Sequence, residues 1–124
     1  MKDQLTSVEL LQAVIEFIRD MATPELGAQA RFNARIACSL LQIVQREIEM
    51  APAAQAAELA RLKALLNRID GDLLSLNAEL CARISNGEFA PPTEGLVEHL
   101  WAVTLDKLAV DQPDYSSYRR VRVG

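Results

Sequence analysis

A chain of 124 residues has the length of one domain, and with half of its residues hydrophobic and 24% charged it is not a disordered segment. Its formal net charge of −4 supplies no long-range field to attract phosphate backbones, so nucleic acid is not an expected partner. No apolar run approaches the ~20 residues of a membrane span, and Met1-Lys2-Asp3-Gln4 does not open a signal peptide; a soluble, cytoplasmic chain without membrane contact is expected.

Thr6, with Glu9 three residues later, has the form of a capping box. Val8, Leu11, Ile15 and Ile18, joined by Leu10, Val14, Phe17 and Met21, then make the wide stripe of an amphipathic first helix. Thr23-Pro24-Glu25 offers a cap and a first-position proline, but Gly27 follows so soon that only a turn is expected.

The second helix, Gln29 to Met50, is the element the rest is built around. It has no Gly or Pro, and Phe32, Ile36, Leu40, Leu41, Ile43, Val44 and Ile48 with Ala37 fill roughly half its circumference. Burial along one whole side is expected. Asn33 and Glu47 project into the middle of that arc, while Cys38 falls on the polar side among Arg31, Arg35 and Gln42.

Ala51-Pro52 reads as a stop, with a third helix opening at about Ala53 and carrying a narrow stripe of Leu59, Leu62, Leu66 and Ile69. Asp70-Gly71-Asp72 looks like a break with Asp72 as the next cap, although the apolar spacing runs straight through it; a break is expected, with neighbouring helices on either side. The fourth helix, about Asp72 to Ser85, has Asn77 inside its apolar arc and ends at Asn86-Gly87.

Thr93 then caps a fifth helix that reaches about Val110, with Lys107 turned into its apolar sector. Residues 112–124 read as a weakly ordered tail or an arm laid on a neighbour, and Arg119, Arg120 and Arg122 lie within it. The fold class is all-α, a single-domain bundle of about five helices.

Asn33, Glu47, Asn77 and Lys107 are the candidate site. A buried carboxylate or ammonium must become neutral or find a partner, so Glu47 is expected to meet Lys107, with the second and fifth helices running in similar directions. Two readings of the set stand together: a polar network that fixes helix pairing, or an inter-helix pocket for a small molecule. His99, the sole histidine, lies beside the apolar arc of its helix and reads as a surface or boundary residue. The two cysteines read as ordinary reduced thiols. No phosphate loop, metal-ligand spacing or nucleophile motif occurs, so no cofactor, metal or catalytic residue is expected.

Arg31-Phe32-Asn33-Ala34-Arg35, Arg46-Glu47, Asp70-Gly71-Asp72-Leu73, Asn86-Gly87-Glu88 and Lys107-Leu108-Ala109-Val110-Asp111-Gln112-Pro113 carry a resemblance. Together they resemble an uncharacterised bacterial family of all-helical domains found beside, or fused to, aminoglycoside-phosphotransferase-like kinases. The likeness covers most of the chain. It implies a non-catalytic accessory role beside a kinase-like enzyme, in acyl-CoA metabolism. The wide apolar coverage of the helices leaves room for a homodimer as well. The family pattern would take histidine at position 33 as readily as Asn33, which argues against an essential proton transfer there.

Overall fold

The computed structural model describes residues 5–123, and its element order is all helical: α1 (Ser7–Glu16), α2 (Ala28–Leu66), α3 (Leu73–Ser85), α4 (Leu96–Asp111) and α5 (Ser116–Val123). No strand occurs among the described residues. Two compact units divide the chain between Ala51 and Pro52, and α2 contributes its first part to one and the rest to the other.

In the first unit, Thr6 caps α1 as the sequence dictates: its hydroxyl accepts from the Glu9 N–H and the Glu9 carboxylate accepts from the Thr6 N–H. After Glu16 the backbone widens into a π-helical turn, Phe17–Ala22, and then tightens into a single 3₁₀ turn, Thr23–Glu25. Pro24 has no N–H to continue the α pattern, and the Thr23 hydroxyl donates to the Ile18 carbonyl instead of capping a new helix. The chain then reverses. Cys38 Sγ lies 3.8 Å from the Ile15 carbonyl, and Gln45 Nε2 donates to the Val8 carbonyl and to Gln12 Oε1, at 3.2 and 3.0 Å. Rising residue numbers on α2 meet falling numbers on α1, so the two run antiparallel. Cys38 therefore faces α1, half-buried, and not the polar side assigned to it from the sequence.

The stop at Ala51-Pro52 does not form. α2 is one helix of 39 residues with Pro52 inside it. Between Ser39 and Asn67 there is no Ser, Thr, Asp, Asn or Gly to cap or terminate a helix, and Ala51, Ala53, Ala54, Ala56 and Ala57 are the best helix formers available. The proline costs one hydrogen bond, and its neighbours offer no better conformation. α2 ends at Asn67, in the left-handed region at φ 55°, where the Arg68 N–H reaches the Lys63 carbonyl and the Asn67 N–H the Ala64 carbonyl.

The expected break at Gly71 is present, and Asp72 caps α3 through the Ser75 N–H. Gly71 is required there: its φ is 129°, and a Cβ would fall 2.8 Å from a Leu76 methyl carbon. The core of the second unit is Leu62, Leu66, Leu76, Leu80 and Leu96, with Leu59, Leu65, Leu73 and Phe89 packed around it. Glu79 ties it together from outside, pairing with Arg68 at the end of α2 and with Arg83 on its own helix, while Arg83 also reaches Glu88 and lies over the Phe89 ring.

Thr93 does not cap α4. Gly95, at φ 86°, precedes the first helical residue, while Thr93 closes the preceding turn by accepting from the Ala90 N–H. Within the stretch read as a tail or arm, Ser116–Val123 are helical, Tyr118 is buried and Arg122 lies over its ring.

Candidate functional site

The four residues singled out from the sequence are divided between the two compact units, Asn33 and Glu47 in the first and Asn77 and Lys107 in the second. Asn33 is exposed on α2 and accepts from Gln29 Nε2 at 3.2 Å; Glu47 is exposed on the same helix. Lys107 is exposed on α4, in the other compact unit. The expectation of an acid and an amine buried against each other is thereby corrected: each side chain is hydrated, so neither needs the other for neutralisation. Asn77 alone is half-buried with a partner from another helix, donating to Glu58 Oε2 at 3.2 Å.

Asn77 belongs to a polar cluster that the sequence did not disclose. His99 is 2% exposed, and its Nδ1 accepts from Arg61 Nε at 3.2 Å. That bond requires a neutral imidazole with its proton on Nε2. Burial and then the Arg61 charge hold His99 below its ordinary value, with Glu58 opposing them. Arg61 Nη2 is buried and has no hydrogen-bond partner among the described residues. Beside it an open cleft of about 390 Å³ is lined by Arg61, Ala64, Leu65, Glu94, Gly95, Glu98 and His99. The sequence signal available was the three-residue step from Leu96, which places His99 on the inward side of α4.

The second feature is apolar. The wide stripe of α1 and of the π-helical turn after it splits: Val8, Leu11, Ile15 and Ile18 are buried or half-buried, whereas Leu10, Val14, Phe17 and Met21 are between 46% and 66% exposed. On α2, Ala34, Ala37, Cys38 and Leu41 are half-buried, but Phe32, Ile36, Leu40, Val44 and Ile48 are between 41% and 57% exposed. The expectation of burial along one whole side of this helix is corrected accordingly. At 100° per residue, each bare stripe lies about 110° from the inward direction of its own helix. Because α1 and α2 are antiparallel, those two offsets carry both stripes to one side of the layer. The first unit thus presents a continuous bare apolar face, with Asn33 and Glu47 set within it.

Among the described residues no three His, Cys, Asp or Glu side chains are grouped to hold a metal, and no helix is long and apolar enough to cross a membrane. Cys38 and Cys81 are free thiols.

An all-helical chain with one bare apolar layer and one buried polar cluster is the class that fold and site define. Residues 24–115 match the family model described as a domain of unknown function, DUF6285, and the chain belongs to that family. The match takes in α2, α3 and α4 and leaves α1 and α5 outside it. No curated protein and no solved structure matches the chain.

Proposed function

We propose that this chain is a non-catalytic interaction module that docks on protein through the bare face of α1 and the first part of α2. One observation carries the reading: two apolar stripes on antiparallel helices turn to the same side and stay in water. A bare patch of that extent is costly unless something covers it. The resemblance seen in the sequence supplies the class of protein to be served, a phosphotransferase-like kinase to which this chain is accessory. The test is co-purification of the full chain with a neighbouring kinase-like protein. Leu40→Lys, which places an ammonium in the centre of the face, should reduce recovery at least about tenfold while circular dichroism stays unchanged. Full recovery with the variant would remove the face from the account.

A second reading is favoured by Arg61 Nη2, a buried donor without an acceptor at the edge of the His99 cleft. A small molecule with a carboxylate or carbonyl oxygen would satisfy it. Acyl-CoA compounds, the class implied by the resemblance, are the first to titrate. Ligand-dependent NMR shifts confined to Gly95, Glu98 and His99, lost in Arg61→Gln, would favour this reading over docking.

A further inference from the structure

Leu40 stands at the middle of the bare stripe on α2. Asn33 lies seven residues before it and Glu47 seven after, and seven residues are two turns, so all three project from the same side. Ile36, Ile43 and Met50 interleave with them at alternating steps of three and four, the spacing of a seam that meets another helix. The polar ends of the seam are complementary. The Asn33 carbonyl oxygen is occupied by Gln29, which leaves its amide N–H groups to donate, and Glu47 offers a carboxylate without a partner among the described residues. Along one helix they are about 21 Å apart and cannot satisfy each other within a chain.

We propose that a second copy of this chain covers the face whenever the kinase-like protein does not, related by a twofold axis passing beside Leu40. That axis runs the two α2 helices antiparallel and brings Asn33 of each copy level with Glu47 of the other. The α1 stripe shares the centre: Ile15 lies against Cys38, next to the Leu40 level, and Leu10 to Met21 extend about equally to either side of it. A patch centred in this way on both helices is self-complementary, as a twofold interface requires. A parallel pairing would instead set Glu47 against its own copy, like charge on like.

The area suffices. Ten apolar side chains of the first unit, each about half-exposed, amount to on the order of 800 Å² per copy, the amount each partner of a stable dimer covers. The paired layers form four helices around one apolar interior, and the two Asn33–Glu47 pairs at its ends fix the register. This inference rests on the reading of the α1–α2 face as a docking surface.

Light scattering and sedimentation of the full chain over a concentration series test it, with Leu40→Lys, Asn33→Asp and the double substitution Asn33→Asp/Glu47→Lys. The natural chain is expected at twice its chain mass, and Leu40→Lys at one chain mass with helicity retained. Asn33→Asp sets carboxylate against carboxylate across the interface and should weaken the dimer about tenfold or more; the double substitution restores unlike partners and should recover natural affinity within about threefold. In a Cys38→Ala/Cys81→Ser background, Leu40→Cys should form a disulfide between copies on mild oxidation. A natural chain that is monomeric, or a dimer indifferent to all of these changes, overturns the inference. If that monomer's Leu40→Lys variant still loses the kinase-like protein, only self-pairing fails; if the variant keeps it, the docking face fails too.

Discussion

The His99 imidazole gives the molecule a pH dependence of definite sign. Burial and the Arg61 guanidinium hold it below the ordinary histidine value of 6.5. Between those two values the unfolded chain binds the proton and the folded chain does not, so stability falls as pH drops through 6.5 and levels off below the folded value. Urea midpoints between pH 7.5 and 5.5 should show this decline in the natural chain and a smaller one in His99→Gln. Glu79 acts at lower pH. The Arg68 hydrogen bond, then the Arg68 and Arg83 charges, hold its carboxyl below 4.5, so its contribution is present above that value and lost as pH falls through the folded one. Glu79→Gln should therefore flatten the acid limb of the stability curve below about pH 4.5, most clearly at low salt. Neither His99 nor Glu79 stood out as a partnered group in the sequence, because Arg61 comes from another helix and Arg68 from the connection that follows it. Asn33 and Glu47 did stand out, and for a sound reason: they interrupt an apolar arc. An arc records what can be buried, however, and not whether the same chain buries it.

At the scale of the element, local chemistry was legible wherever it was self-contained. The capping boxes of Thr6 with Glu9 and of Asp72 with Ser75, and the Gly71 break, each involve residues within a few positions of one another. Pro52 misled because a proline stops a helix only when its neighbours offer an alternative, and five flanking alanines do not. An interior proline still costs up to about 3 kcal/mol relative to alanine, partly offset by its stiffening of the unfolded chain. Pro52→Ala should consequently stabilise the chain by about 1 to 2 kcal/mol in urea unfolding; a loss of stability would show that the ring is needed at that position. Gly71→Ala should do the opposite. Its φ of 129° is strained for any side chain, and the added carbon would meet Leu76, which is itself 3% exposed and has nowhere to move. A loss of about 2 kcal/mol or more is expected from that combination.

Across the whole molecule, the two compact units differ in what holds them. From Pro52 onward, five leucines enclose one another. Before it, Ile15 is the one described side chain that is fully enclosed, and two antiparallel helices with so little interior are marginal on their own. If the bare face of the first unit is covered by a second copy, its protection against local opening comes from association and follows mass action. Native-state hydrogen exchange resolves the point residue by residue. In the associated regime the free-chain fraction grows as the inverse square root of concentration, so a tenfold dilution should speed exchange in residues 7–51 about threefold. Amides of α3 and of α4 up to Leu108, held by the leucine core, should not respond. Exchange in the first unit that is slow and independent of concentration would mean that α1 and the first part of α2 need no covering partner.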